Sequence, residues 1–174
     1  MFQRIFRRYR TVDPVTTNSS LPDPMQEFPN PENQELFSYL ISNWQLQKLP
    51  PEKVFECSPH PDLVVLFDEL SGAFGVRNIR KATFYGKRLA ATSNNLVFAW
   101  AQGMRAIFIR LQPGRHAEAL AAGGRLDATN PPNWVEFLAG GTRMAGYNSI
   151  AWRSVILNWM EISYKDCMGL KNER

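Results

Sequence analysis

Cysteine and histidine are scarce in this chain, whose 174 residues include two of each. The two cysteines, Cys57 and Cys167, are too few for the disulfide framework of a small secreted domain. We expect them to be reduced thiols in a cytoplasmic protein, because disulfides are rare in the cytosol. Neither His60 nor His116 lies near a cluster of cysteines, so the spacing typical of metal ligands is missing. The sequence therefore predicts a cytoplasmic protein without a metal centre.

The sequence motifs of common enzyme classes are also missing. Neither Gly-rich phosphate-binding pattern, GxGxxG or GxxxxGK[ST], occurs, and there is no HExxH. Neither histidine lies in a nucleophile elbow. Asp127 and Asn130 lie in a loop flanked by Gly and Pro, which is typical of a turn satisfied by its own side chains and, as an alternative, of a polar site. We predict no catalytic residue, no cofactor and no enzymatic activity.

No apolar run approaches the roughly 18 residues that a transmembrane helix needs, and no signal-peptide core follows the basic start. The hydrophobic fraction of 44% and the charged fraction of 21% are ordinary for a globular protein. A chain of this length is expected to form one domain with a substantial core.

Carboxylates are absent between Glu69 and Glu118, a stretch that holds eight Arg and Lys. The net charge of +4 nevertheless comes from the first ten residues, which hold four arginines and no acid. Subtracting these four charges leaves residues 11–174 formally neutral. Any basic surface of the body must therefore arise from the position of its charges and not from an excess of them.

Residues 1–31 are interpreted as a basic tail followed by a Pro-rich, extended linker at 11–31. The tail is a disordered leader, a membrane-surface or partner-binding helix, or a targeting peptide, three alternatives that the sequence leaves open. We expect it to contact an anionic surface through its four arginines, which are Arg4, Arg7, Arg8 and Arg10.

A single α+β domain is predicted for residues 32–174. It begins with a helix at 32–47, for which Asn30 is the expected N-cap and whose apolar face docks either on the domain or on a second copy of it. A second helix is predicted from Pro61 to Phe74, with Gly75 as its C-terminal glycine.

The densest β signal of the chain follows, as an antiparallel meander with a turn or a bulge at Gly86 and a tight turn at Gln102-Gly103. Its alternation places Leu96, Phe98 and Trp100 on one face. We expect helices to cover one face of this sheet and a loop or a partner to cover the other. The predicted elements are strands at 80–85, 87–91, 96–101 and 105–111, a short helix at 113–122, a strand at 134–138 and a last helix at 148–168, whose buried stripe includes Trp152, Val155, Ile156, Trp159, Met160 and Ser163.

Part of this pattern resembles the N-terminal domain of TfoX-like proteins and the related YjbR-like group. The carrying residues are Thr83 to Gly86, the strand Val97 to Trp100, the strand Trp134 to Phe137 and Ser163-Tyr164 in the final helix, within residues 62–168. The resemblance implies an α+β fold of order α-β3-α-β-α, like that of secretion chaperones, to which this chain adds an N-terminal helix. It also implies a regulatory or nucleic-acid-linked role.

Two functional hypotheses follow. The first is a non-enzymatic binding or regulatory domain that contacts nucleic acid or an acidic protein through a basic ridge of the sheet. The second is a chaperone-like or adaptor protein, expected to be dimeric, that uses the 32–47 helix or a sheet edge. Under a third, plainer interpretation the basic residues are solvated and pair with acids such as Asp68, Glu69, Glu136 and Glu161. The candidate partner-binding residues of the ridge are Arg80, Lys81, Lys87, Arg88, Arg105 and Arg110.

Overall fold

The computed structural model of the chain describes residues 23–46, 59–103, 106–138 and 150–170, with the side chains of 44–46 and 150 left out. The tail arginines, Cys57 and Arg105 lie outside these residues. The helices are α1 (Pro24–Glu27), α2 (Gln34–Leu46), α3 (Pro61–Ala73), α4 (His116–Ala121) and α5 (Ile150–Cys167), and short 3-10 turns at Pro31–Asn33 and Pro113–Arg115 precede α2 and α4. The strands are β1 (Arg80–Phe84), β2 (Lys87–Ala91), β3 (Val97–Gln102), β4 (Ala106–Arg110) and β5 (Trp134–Leu138).

The five strands form one antiparallel sheet in the order β1-β2-β3-β4-β5. The predicted α+β meander packed by helices is therefore confirmed. Four strands precede α4, one more than in the order that the family resemblance implied. The first turn consists of Tyr85 and Gly86, with φ of 49° and 71°, which matches a two-residue type I′ hairpin whose twist suits the strands on either side.

Each face of the sheet carries its own hydrophobic core. On one face, α3 and α5 bury Phe67, Leu70, Ile156 and Met160 against alternate residues of the strands, such as Ile107. On the other face lies the segment 23–46, named here the N-terminal arm. The arm buries Phe28, Leu36, Phe37 and Leu40 against Leu89, Trp100, Phe108 and Trp134.

The arm settles where the first predicted helix docks. The helix expected at 32–47 is confirmed as the turn 31–33 followed by α2, and it packs on the sheet of its own chain. The extended linker predicted through residue 31 is wrong for 24–27, which form α1. There Asp23 caps the helix by accepting a hydrogen bond from the Met25 N–H at 2.9 Å.

A β-bulge in β3 changes which side chains of that strand share a face of the sheet. Ala90 pairs with Ala99, but Ala91 pairs with Val97, so that Phe98 is the extra residue. Phe98 therefore turns into the core under α3 and α5, whereas Trp100 lies in the core under the arm. The expectation that Phe98 and Trp100 share a face is wrong, because simple alternation ignores the inserted residue.

The last helix also differs from its predicted buried stripe at two positions, the first of which is Trp152, a half-buried residue packed against the core. Ile156, Trp159, Met160 and Ser163 are buried as expected, whereas Val155 is 37% exposed. Ser163 donates its hydroxyl to the carbonyl of Phe98 and approaches that of Arg110, which fixes α5 to β3 and β4 beside the bulge.

Asn33 joins the arm to the sheet through its buried side-chain amide. Its Oδ1 accepts from the Val97 N–H at 2.9 Å, at the first residue of β3. Its Nδ2 donates to the carbonyls of Phe28 at 3.2 Å and Asn95 at 2.7 Å. The side chain is fully buried, so each of these three bonds satisfies a group with little access to water.

Asn33→Ala is expected to lower the free energy of unfolding by about 2–4 kcal/mol, because it leaves buried donors and acceptors unpaired. Asn30→Ala is the matched control. Asn30 caps the adjacent turn through an exposed bond to the Glu32 N–H, and its loss is expected to cost about 1 kcal/mol. Urea denaturation of both variants measures the difference. Equal losses would contradict the role given to Asn33.

Candidate functional site

The sheet divides four of the six predicted binding residues between its two faces, and Arg105 lies outside the described residues. Arg80 and Arg110 reach toward the arm, where they bond to arm residues. Lys81 and Arg88 reach toward α3, where both contact Asp68. Lys87 is buried, with 4% of its surface exposed. The described members of the ridge therefore do not converge on one surface.

The two arginines on the arm side stabilise the arm. Arg80 Nη2 lies 2.7 Å from Glu27 Oε1, and its guanidinium lies 5.5 Å from the Phe28 ring centroid. Arg110 Nη1 lies 3.2 Å from Glu32 Oε2, and its Nη2 donates to the Glu32 carbonyl at 2.7 Å. Their charges are thus paired within the chain.

On the opposite face, Arg88 is paired and Lys81 is not. Arg88 Nη2 lies 2.5 Å from Asp68 Oδ1, which confirms Asp68 as one of the acids expected to neutralise the basic stretch. Lys81 Nζ donates to the Asp68 carbonyl at 3.0 Å and has no carboxylate partner in the described part of the chain. Two other expected acids pair outside the stretch, Glu69 with Arg153 and Glu161 with Lys165.

The outer edge of β1 is open. β1 is the first strand of the sheet, and no strand within the described ranges pairs with its outer side. Phe84 and Lys87 flank a two-residue turn, so they form a hydrogen-bonded pair. Hydrogen-bonded and non-hydrogen-bonded pairs alternate along an antiparallel ladder, so Ala82 and Arg80 also direct their backbone groups to β2. The N–H and C=O groups of Lys81 and Thr83 therefore point away from the sheet.

Nothing in the described structure satisfies these outward groups. No backbone hydrogen bond joins residues 80–84 to any described segment other than β2. Arg80 and Thr83 are exposed. The opposite edge of the sheet is partly closed instead, since Arg125 and Glu136 exchange two backbone hydrogen bonds of 2.8 and 2.9 Å.

The sequence predicts a sheet edge as a possible binding surface but does not indicate which strand forms it. Two features of the sequence indicate β1 as the edge strand. The first strand of a meander lies at an edge of the sheet, and Lys is typical of edges that are protected against aggregation. Lys81 was named for its charge alone. Thr83 is not among the predicted binding residues, because its importance lies in its backbone groups and depends on the register of the hairpin.

The loop that contains Asp127 and Asn130 is a turn in which both side chains are hydrogen-bonded. Asp127 Oδ1 accepts from the N–H and the hydroxyl of Thr129, both at 2.8 Å, and these bonds lower the Asp127 pKa. Asn130 Oδ1 accepts from the Tyr39 hydroxyl at 3.1 Å. Burial raises the Tyr39 pKa despite a hydrogen bond with Asn43. The loop thus anchors the arm.

Among the described residues, one cleft lies between the start of α2 and the residues that precede β5, and another lies beside the C-terminal end of α5. One has a volume of about 560 Å³ and is lined by Glu32 and Arg110, and the other has about 540 Å³ and is lined by Arg115 and Asp166. Both are open and both contain a charge pair, Arg110 with Glu32 at 3.2 Å and Arg115 with Asp166 at 3.7 Å.

Within the described residues, no group of three His, Cys, Asp or Glu side chains could hold a metal ion. The Cys167 pKa is raised to about 11, mainly by burial, so its thiol stays protonated at neutral pH. None of the described helices has the length and apolarity needed to cross a membrane.

Comparison of the chain with protein-family models, with curated proteins and with solved structures found no match in any of the three. The resemblance to the TfoX-like and YjbR-like group stays a prediction.

Glu136 and Asp127 are expected to change stability with pH in opposite directions. The Glu136 pKa is raised, first by burial and also by Asp127, although Arg125 lowers it. A raised carboxyl pKa means that ionisation disfavours the folded state, so stability is lost as pH rises through the window above the unfolded pKa. Asp127 has a lowered pKa, and its stabilisation is lost as pH falls.

The two pH dependences are tested by the thermal unfolding midpoints of Glu136→Gln and Asp127→Asn, measured between about pH 3 and about pH 7. Relative to wild type, Glu136→Gln is expected to gain stability as pH rises, because the ionised carboxylate is removed. Asp127→Asn is expected to lose stability relative to wild type as pH rises over the same range. Parallel curves for both variants, or differences independent of pH, would contradict these assignments.

Proposed function

We propose that this protein is a non-enzymatic binding domain, of the adaptor or chaperone-like kind, that takes up an extended segment of a partner protein. The partner adds a strand antiparallel to β1, pairing with the outward N–H and C=O groups of Lys81 and Thr83. The observation that carries the proposal is the open outer edge of β1 in a sheet whose two faces are both covered. We place this binding in the cytoplasm, as the scarcity of cysteine suggests.

The covered faces favour the edge over the other surfaces considered for an adaptor. The arm helix buries Leu36, Phe37 and Leu40 on its own sheet, so this apolar face is already occupied. The backbone of β1, by contrast, supplies four hydrogen-bonding groups at two residues. At about 0.5–1.5 kcal/mol for each bond, and with the cost of ordering a peptide, we expect weak and reversible binding.

Nucleic acid is the second class of partner that the basic stretch suggested. Single-strand binding needs aromatic rings that are free to stack on bases, whereas Phe98 and Trp100 are fully buried and Phe84 and Tyr85 are less than 10% exposed. Three of the ridge cations are paired with carboxylates. These observations favour a protein partner, and nucleic acid becomes an outcome of the test.

A selection from a displayed library of random short peptides tests the proposal. Enriched peptides are titrated against wild type, Thr83→Pro and Thr83→Val. Proline removes the outward N–H without removing a bond to β2, whereas valine keeps the N–H and the strand preference. We expect Thr83→Pro to weaken binding at least about tenfold and Thr83→Val to leave it unchanged.

Thermal unfolding checks that both variants fold. If Thr83→Pro does not fold, N-methylation of alternate peptide amides blocks the same hydrogen bonds from the partner's side and should abolish binding. A failure to enrich peptides, or equal binding by both variants, would overturn strand addition. Salt-sensitive binding of a DNA or RNA pool, lost in Lys81→Gln, would replace it with the nucleic-acid function.

A further inference from the structure

The open edge of β1 carries an uncompensated positive charge. Five cations lie on β1, on its neighbour β2 or just before them, and one of these, Lys87, is buried. Two are paired, Arg80 with Glu27 and Arg88 with Asp68. Lys81 contacts only a carbonyl, and Arg77 is exposed in the loop before β1 with no carboxylate partner among the residues described. A segment arriving at this edge therefore meets two unneutralised cations.

This charge disfavours a second copy of the chain as the partner. If β1 paired antiparallel with itself about Ala82, Lys81 would lie opposite Thr83 of the other copy on the face toward α3. The two Lys81 side chains would then be diagonal neighbours, roughly 7–8 Å apart at their Cα atoms. Like charges across a strand pair are destabilising, and lysine at an edge opposes this kind of association.

We infer that the partner segment is an extended acidic strand, an inference that rests on the proposed strand addition. Lys81 and Thr83 both lie on the face of the sheet that α3 covers. Lys81 contacts Asp68 of α3, and Arg88, which pairs with Thr83, contacts both Thr83 and Asp68. A carboxylate opposite Lys81 would form a cross-strand ion pair with it. A second carboxylate beyond the start of β1 would lie near Arg77. The alternate positions of such a strand carry β-branched residues, which suit an added strand.

Three synthetic peptides of alternating sequence test the charge requirement, with Val alternating with Glu, with Thr or with Lys. Their affinities for the full chain are measured by fluorescence anisotropy at low and moderate salt. We expect the Glu peptide to bind at least about tenfold more tightly than the Thr peptide, and the Lys peptide to bind most weakly. Added salt should narrow the differences, because exposed charges are screened.

Charge variants locate the effect. Lys81→Gln and Arg77→Gln should each reduce the preference for the Glu peptide over the Thr peptide, and Lys81→Glu should shift preference toward the Lys peptide. Arg77→Gln is the variant least able to disturb folding, since Arg77 is exposed in a loop. Arg125→Gln is the matched control, because Arg125 is exposed beside the opposite edge, and it should leave all three affinities unchanged.

The outcomes separate this inference from the proposed function. If all three peptides bind equally and Thr83→Pro abolishes binding, strand addition stands and the acidic partner is wrong. If none binds, both fail. If the chain forms a dimer on size exclusion that Thr83→Pro disrupts, the occupant of the edge is a second copy and the inference is overturned.

Discussion

The buried side chain of Asn33 fixes the position of the arm, and most of the remaining structure depends on that position. Its carbonyl oxygen accepts from the first residue of β3 and its amino group bonds to Phe28 and Asn95. Because hydrogen bonds are directional, this contact specifies how the arm lies on the sheet, whereas apolar burial alone would tolerate other positions. With the arm so placed, Phe28 and Phe37 are buried beside the stack of Trp100 on Phe108, whose rings are 3.8 Å apart.

The position of the arm also determines which acids pair with the arginines of the basic stretch between Glu69 and Glu118. Arg80 and Arg110 reach acids of the arm, and Arg88 reaches an acid of α3. Such pairs, partly exposed to solvent, add little stability each, but they neutralise three of the eight positive charges that the sequence concentrates between Glu69 and Glu118. With both faces covered and these three charges paired, the backbone edge of β1, with Lys81 on it, is the feature of the described residues that remains open to a partner.

Local sequence signals predicted the elements well where the cause was local. Gly86 follows Tyr85 at a tight turn that needs positive φ, and Asn30 before Pro31 marks a helix start, so both were found. In β4, where simple alternation holds, Ile107 and Phe108 lie on opposite faces of the sheet. Strand order followed from the short turns, which leave little choice but a meander.

Long-range causes were not visible in the sequence. The bulge at Phe98 depends on the pairing of Ala91 with Val97, and no local pattern marks the inserted residue. Which acid neutralises Arg80 or Arg110 depends on the path of the arm, which lies 53 and 78 positions earlier in the chain. The candidate site moved for the same reason, from six side chains on an expected ridge to the backbone of Lys81 and Thr83.

Amide hydrogen exchange, followed residue by residue by NMR, tests the open edge of β1 most directly. The N–H groups of Ala82 and Phe84 point to β2 and should exchange slowly, whereas those of Lys81 and Thr83 point outward and should exchange near the rate of an unprotected amide. This alternation along one strand is the predicted result. Equal protection of all four amides would show that the edge is already occupied and would contradict the account.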